Sequence, residues 1–218
     1  GTRMDFITFH AKGANYRTDV RAAKQLPSTK SLVSQVRLGL DIINKYPPLK
    51  DLPCILSECD PDGWAAGGAW DNPNLAFRNT EYYASYVATT FKKLIDTENE
   101  YNRRVDALSW AFMFDIERCF EGTRTFTTQG IDKPILNLFR MYSHLGDRRL
   151  HFESSGAKAP LQYKDDHGIG EEPDIDGIAT MSGNRSVEVF LFCHHDDWDV
   201  GGEYEVEIEV ANLPFDGD

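Results

Sequence analysis

Three short apolar stretches in the first two thirds of the chain are each followed by an amphipathic helical pattern. The stretches span residues 4–10, 53–58 and 106–114, and the helical patterns span 31–46, 80–98 and 134–145. Apolar runs of this length are typical of strands buried on both faces, and apolar residues spaced three and four apart indicate helices that pack on a sheet. The βαβαβα order therefore predicts a parallel sheet with right-handed crossover connections.

The pattern changes after residue 148. Period-two alternation appears in the runs 175–181, 186–194 and 203–210. In the last run, Tyr204, Val206, Ile208 and Val210 alternate strictly with glutamates, which is typical of a strand with one buried face and one solvated face. We therefore expect two domains, an α/β unit at 1–148 and an antiparallel β region at 149–218.

Three βα units predict an incomplete fold. A parallel α/β barrel has eight strands, and an open sheet of three leaves its edges and its inner face uncovered. We therefore expect the chain to be the C-terminal part of a longer protein, or to be completed by another copy of itself.

The charge of the chain disfavours some classes of partner. The 218 residues carry a formal net charge of −12, which would repel nucleic acids and anionic membranes. No run reaches the roughly 18–20 apolar residues of a membrane span, and the first residues show no signal-peptide pattern. The four cysteines form no C-x-x-C pair and fit buried thiols in a reducing cytoplasm.

No cofactor or metal is expected. Residues 194–199, His-His-Asp-Asp-Trp-Asp, contain several metal-binding residue types, but without a recognisable ligand spacing. We interpret this segment as a solvated turn.

Glu58 is the strongest candidate for a reactive group. It follows the apolar residues Cys54, Ile55 and Leu56, and the Asp-Pro-Asp-Gly sequence at 60–63 predicts a sharp turn after it. A carboxylate at the C-terminal end of a buried parallel strand lies on the rim of the scaffold, where strand ends and loops carry function. We interpret Glu58 as the reactive carboxylate of a sugar-cleaving site.

Four segments give the chain a family resemblance. They are FITFHAKGA (6–14), ILSECDPDGW (55–64), LSWAFMF (108–114) and RTFTTQGIDKPILNLFRM (124–141). With them the chain resembles the C-terminal half of the family 39 glycoside hydrolases, which include β-xylosidases and α-L-iduronidase, and it is most similar to the bacterial β-xylosidases. The resemblance implies strands six to eight of a TIM (β/α)8 barrel, followed by an antiparallel accessory domain of the β-sandwich type.

The resemblance also implies a retaining mechanism with Glu58 as the nucleophile. The general acid/base of the family is the glutamate of an Asn-Glu pair on the fourth barrel strand. The one Asn-Glu pair here, Asn99-Glu100, falls at a predicted helix end and does not match it. Retaining glycosidases need two carboxyl groups about 5–5.5 Å apart. We therefore expect β-xylosidase-like cleavage of xylo-oligosaccharides or related glycosides by the whole protein, and inactivity of this chain alone on natural glycosides.

A set of sugar-binding side chains is implied as well. They are His10, Lys12, Asp60, Trp64, Asp115, Glu117, Glu121 and Arg124. Trp64 and Trp70 follow the nucleophile and are better placed than Trp110 to stack on a pyranose ring. Structural roles stay open for several of these residues: Asp60 could form a turn, and Arg124 could pair with Glu117 or Glu121.

Lys12 and Arg124 leave a second specificity open. Each matches a cation that contacts the substrate carboxylate in the iduronidase branch of the family, so that together they would form a carboxylate clamp. A uronidase or an arabinosidase is therefore the alternative within the family. A non-catalytic sugar-binding or assembly module, docked on a partner half-barrel, is the alternative from another functional class.

Overall fold

A parallel sheet of three strands organises the first part of the structure. The structure is a computed structural model that describes residues 3–14, 23–64, 67–108, 117–159, 161, 169–183 and 186–213. Strands β1 (Ile7–Ala14) and β3 (Val105–Ala107) both pair in parallel with the middle strand, β2 (Cys54–Asp62). The predicted parallel order is confirmed, and no closed barrel forms among the residues so described.

Helices follow the strands as the sequence predicts. They are α1 (Thr29–Asn44), α2 (Glu81–Tyr101) and α3 (Pro134–Tyr142). Helix α1 begins after Ser28, whose side chain accepts a hydrogen bond from the Ser31 amide at 3.1 Å. Leu32, Val36 and Leu40 are fully buried at helical spacing, so this stripe packs α1 into the core against the sheet.

Strand β2 is longer than the sequence predicts. Residues 60–62 continue the strand, whereas the Asp-Pro-Asp-Gly sequence predicts a turn there. The strand continues because its neighbour β1 also extends beyond His10, so that Lys12 pairs with Asp60. The predicted turn is therefore wrong, and Glu58 lies within the strand rather than at its end.

The third strand is described only at its beginning. Beyond β3, the Leu108 amide donates to the Leu56 carbonyl at 2.9 Å, and the Leu108 carbonyl accepts from the Cys59 amide at 3.1 Å. The rest of the predicted strand, with Trp110, and the candidate Asp115 that follows it lie in 109–116 and thus outside the described residues.

The β region contains an antiparallel sheet. Its three strands follow α3 and are β6 (Arg148–Arg149), β7 (Asp174–Ser182) and β8 (Ser186–His194), in that order. A separate short hairpin of β4 (Thr127–Thr128) and β5 (Ile131–Asp132) precedes α3. The strands predicted at 175–181 and 186–194 are confirmed. The β-sandwich-type domain and the division at residue 148 stay predictions.

The strand predicted at 203–210 is wrong. These residues form no strand, and Tyr204, Val206 and Ile208 are 46%, 47% and 53% exposed. A half-buried strand needs a neighbour for its backbone and cover for its apolar face. No strand within the described ranges pairs with this segment.

The segment 194–199 is not the solvated turn that the sequence predicts. His194 is 2% exposed and Asp196 is 1% exposed. Asp196 accepts hydrogen bonds from the Thr29 amide at 3.1 Å, the Thr29 hydroxyl at 2.9 Å and the Ile169 amide at 2.8 Å. These bonds attach the end of β8 to the beginning of α1.

Two classes of site are not seen in the described ranges. No described helix is long and apolar enough to cross a membrane. The described residues also contain no group of three or more His, Cys, Asp or Glu side chains that could hold a metal ion.

All four cysteines are free thiols, of which Cys54 and Cys59 are buried. Cys119 and Cys193 are exposed, so the expectation of buried thiols is wrong for these two.

Candidate active site

The parallel pairing of β1 and β2 gathers four of the predicted site residues. His10 pairs with Glu58 and Lys12 pairs with Asp60, after a register shift that follows Phe9. Alternate residues of a strand point to the same face. The four side chains therefore form a two-by-two patch on one face of the sheet.

Lys12 joins the two carboxylates of this patch. Its Nζ atom contacts both Glu58 Oε2 and Asp60 Oδ2, and His10 Nδ1 lies 3.8 Å from the same Glu58 oxygen. The Glu58 side chain is 41% exposed, whereas that of Lys12 is 11% exposed and that of Asp60 is fully buried. Glu58 is therefore open to a ligand, and Asp60 is enclosed behind it.

The two carboxyl groups differ in pKa. The hydrogen bond from Lys12 lowers the pKa of Glu58 below its ordinary value. Burial raises the pKa of Asp60 to about 6, although the charges of Lys12 and Arg124 act in the opposite direction. Glu58 is therefore ionised at neutral pH, which is the form that attacks an electrophilic carbon.

A second ion pair lies at the end of β2. Arg78 Nη2 lies 2.8 Å from Asp62 Oδ1, and both side chains are fully buried. Arg78 Nη1 also donates to the carbonyls of Gly67 at 2.7 Å and Gly122 at 3.1 Å. This arginine therefore ties the end of β2 to the two loops that surround it.

Arg124 adds a second cation close to the patch. Its Nη2 atom donates to the Asp62 carbonyl at 3.4 Å and lies 3.9 Å from Asp62 Oδ1, and its side chain is 13% exposed. Burial lowers the pKa of Arg124 to about 10, so it stays charged at neutral pH. Its charge lowers the pKa of both Glu58 and Asp60. Lys12 and Arg124 thus both act electrostatically on the exposed carboxylate.

Glu117 and Glu121 are engaged within their own loop. Glu117 Oε1 contacts Lys133 Nζ, with both side chains fully buried, and Glu117 Oε2 accepts from the Thr123 amide at 3.0 Å. Glu121 Oε2 accepts from the Arg118 amide at 3.0 Å, and its side chain is 30% exposed. The structure therefore gives Glu117 a structural ion pair instead of the open position that a sugar-binding acid needs.

The two tryptophans that follow Glu58 in the sequence differ in exposure. The Trp64 amide donates to Asp62 Oδ1 at 2.9 Å, and its indole Nε1 contacts the Asp71 carboxylate. Trp70 is 64% exposed. The Trp64 ring is thus fixed at its polar edge, and the Trp70 ring is open to solvent.

Three buried residues beside the site are not among the site residues that the sequence predicts. They are Asp62, Arg78 and Tyr83. Asp62 lies two residues after Asp60, so period-two spacing could have identified it if the strand had been extended. Arg78 lies in a short 3-10 helix, Pro73–Asn79, where no pattern signals a buried cation. Tyr83 is on α2, where burial and the charge of Asp60 raise its pKa well above the ordinary value, while the charge of Arg78 acts in the opposite direction.

The arrangement suits nucleophilic attack more than proton transfer. An accessible, ionised carboxylate can attack an anomeric carbon, and two cations can bind an anionic group of the same ligand. Asp60 is the nearest second acid on the strand, but its side chain has no exposed surface from which to protonate a leaving group. Among the described residues, the patch therefore offers one accessible carboxylate beside two cations.

Comparisons with known proteins bear on the fold of the chain. No protein-family model matches the chain, and no curated protein matches it. Among solved structures, a bacterial orthologue of human α-L-iduronidase is similar, with a TM-score of 0.68 and 20% sequence identity. The match covers 92% of this chain and 32% of that one, so this chain spans about a third of its length. At this identity the likeness shows the fold alone. It agrees with a fold of the family 39 type and gives no support to a β-xylosidase in particular.

Proposed function

We propose that the chain is the nucleophile-bearing part of a retaining glycoside hydrolase whose substrates carry a carboxylate. The Glu58 carboxylate attacks the anomeric carbon, an ester bond forms as the glycosidic bond breaks, and water later cleaves the ester. The observation that carries the proposal is the 41% exposed Glu58 side chain held in contact with Lys12, which lowers the pKa of Glu58.

A uronic acid fits the charges around Glu58 better than a neutral sugar. Lys12 contacts Glu58, and the charge of Arg124 also acts on it. A substrate carboxylate would accept charge-assisted hydrogen bonds from such cations, whereas xylose offers only hydroxyl groups. The likeness to an α-L-iduronidase orthologue fits this specificity at least as well as it fits a β-xylosidase. His10, 54% exposed and 3.8 Å from Glu58, is placed to bond a sugar hydroxyl.

A retaining mechanism also needs a general acid/base carboxyl, which we assign to another part of a barrel. β1, β2 and β3 would be strands six to eight of a (β/α)8 barrel, and the antiparallel sheet would belong to a β-sandwich-type accessory domain. The general acid/base carboxyl would then come from the remainder of the barrel, supplied by further polypeptide or by a second copy.

Trapping of the glycosyl-enzyme tests this function. The chain is incubated separately with 2-deoxy-2-fluoro-uronosyl fluoride and 2-deoxy-2-fluoro-xylosyl fluoride, each in both anomeric forms, and the labelled peptide is mapped by mass spectrometry. Fluoride leaves without a proton, so the reaction needs only the nucleophile. We expect the uronosyl reagent to label Glu58, the xylosyl reagent to react more slowly, and a Glu58→Gln variant to stay unlabelled.

The outcomes separate the alternatives. Label on another residue would refute the role of Glu58. Faster labelling by the xylosyl reagent would favour the β-xylosidase-like specificity. Saturable sugar binding without any label would favour the non-catalytic module.

A further inference from the structure

We propose that Asp60 is a positioning residue that anchors the Lys12 ammonium group, so that Lys12 can move from Glu58 to the carboxylate of a bound uronate without leaving the site. From the sequence, Asp60 is expected to bind a sugar or to form a turn. The geometry points to a third role, exerted through Lys12. The step that involves a uronate rests on the proposed function, whereas the anchoring of Lys12 does not.

The backbone of Lys12 is fixed. Its amide donates to Gln35 Oε1 at 3.2 Å, and its carbonyl accepts from Gln35 Nε2 at 2.7 Å. Gln35 belongs to α1, which packs on β1. The freedom of Lys12 therefore lies in its four-carbon side chain, whose end is held by the two carboxylates.

These carboxylates are unequal partners. Glu58 is 41% exposed, so water or a ligand can replace Lys12 there. Asp60 is fully buried, and its Oδ1 atom has no hydrogen-bond partner among the described residues. A buried carboxylate that loses its cation bears the whole desolvation cost. Lys12 is therefore expected to release Glu58 first and Asp60 last.

The other groups that face Asp60 do not replace Lys12. Asp62 on β2 repels it, and the Cys59 thiol and the Tyr83 phenol stay neutral because burial raises the pKa of both. Arg124 attracts it, but the contacts described for Arg124 are with Asp62. Lys12 is in direct contact with Asp60 through its Nζ atom.

This asymmetry gives the site a way to select charged sugars. Without ligand, Lys12 neutralises the Glu58 nucleophile. A uronate would draw the ammonium group toward its own carboxylate and leave Glu58 free to attack, whereas a neutral sugar would leave the ion pair in place. Asp60 makes the exchange reversible because it holds the side chain within reach of both positions.

The ligand-free test measures the acetylation rate of Lys12, mapped by mass spectrometry, in the wild type and in Asp60→Asn. The matched control is Asp176→Asn on β7, which removes a buried carboxylate 3.0 Å from Lys93 Nζ, away from the site. If Asp60 is the anchor, its substitution speeds Lys12 acetylation about tenfold, the effect of losing a charged hydrogen bond. The control leaves that rate unchanged. An unchanged rate in Asp60→Asn would overturn the proposal.

A second variant covers the case in which Asp60→Asn does not fold. In Lys12→Met, both carboxyl groups lose their cation, and carboxyl-detected NMR measures the pKa of each. The pKa of the buried Asp60 should increase more than the pKa of the more exposed Glu58. An Asp60 titration that is unaffected by loss of Lys12 would equally refute the anchor.

Binding then tests the selective step. Methyl glucuronoside, methyl iduronoside and methyl xyloside are titrated into the same variants. Asp60→Asn should weaken uronate binding about tenfold while xyloside binding stays the same, and Asp176→Asn should change neither. If Asp60→Asn weakens uronate binding and xyloside binding equally, Asp60 has only a structural role. If the wild type binds no uronate, the proposed function fails, and the acetylation result still decides whether Asp60 anchors Lys12.

Discussion

Burial separates acidic residues that the sequence presents as equivalent. Glu58, Asp60 and Asp62 follow one another at period two on β2, yet only Glu58 is accessible, with 41% of its side chain exposed. Asp60 and Asp62 are fully buried and each contacts a cation. A buried carboxylate depends on its partner far more than an exposed one does. The acids behind Glu58 therefore support the site without being open to a ligand.

The Asp62–Arg78 pair provides a direct test of this dependence. Arg78→Met removes the cation 2.8 Å from the buried Asp62 carboxylate and leaves Arg124 at 3.9 Å, so the free energy of unfolding should fall by about 3–5 kcal/mol. Urea denaturation monitored by circular dichroism measures the loss. The control is Arg37→Met, which breaks the partly exposed pair with Glu100 and should cost less than about 1 kcal/mol. Similar losses in the two variants would contradict the importance of burial.

The raised pKa of Asp60 should make the free energy of unfolding depend on pH. Its pKa is about 6 in the folded chain, against an ordinary value of 3.8. Between these values the folded chain keeps a proton that the unfolded chain has released, so the contribution of Asp60 to stability falls as pH rises. Relative to Asp60→Asn, the wild type should lose up to about 3 kcal/mol between pH 4 and pH 7. Urea unfolding of both chains at several pH values measures this difference; a constant difference would show that Asp60 has an ordinary pKa.

Secondary-structure elements were predictable where local pattern and tertiary context agree. The apolar runs predict β1 and β2, and the parallel arrangement brings Lys12 close to Glu58. The Asp-Pro-Asp-Gly sequence favours a turn locally, but pairing with β1 extends β2 through it. The alternation at 203–210 favours a strand, but a strand also requires a neighbour. Arg78 could not be found from the sequence because its partner, Asp62, is brought to it only by the fold.

The hydrogen bonds of Asp196 that join β8 to α1 should contribute measurably to stability. Asp196→Ala removes the acceptor of the Thr29 and Ile169 amides and leaves buried donors without a partner. The free energy of unfolding should fall by about 3 kcal/mol, as measured by urea denaturation. Asp199→Ala is the matched control, because Asp199 is 71% exposed and pairs with Lys24; it should cost less than about 1 kcal/mol. An equally small loss for Asp196→Ala would show that the junction contributes little to stability.

Over the whole molecule, the two predicted domains share one apolar core. Phe192 of β8 belongs to the same buried cluster as Tyr82 and Tyr86 of α2. Lys93 of α2 also lies 3.0 Å from both Asp174 and Asp176 of β7. The antiparallel sheet therefore supports the helix that follows β2, and through it the strand that carries Glu58.

The dependence of activity on the leaving group tests whether this chain supplies the nucleophile but not the general acid. We expect Glu58 to attack a uronosyl fluoride without an acid, because fluoride leaves as a stable anion. A methyl glycoside requires protonation of its leaving oxygen, and such general acid help is typically worth about 10²–10⁴-fold in rate. The purified chain should therefore form a glycosyl ester from the fluoride but leave the methyl glycoside intact, with both followed by product release and mass spectrometry. Glu58→Gln should abolish the first reaction without unfolding the chain. Efficient hydrolysis of the methyl glycoside by this chain alone would mean that one of its own carboxyl groups is the acid, and would overturn the assignment of that role to further polypeptide.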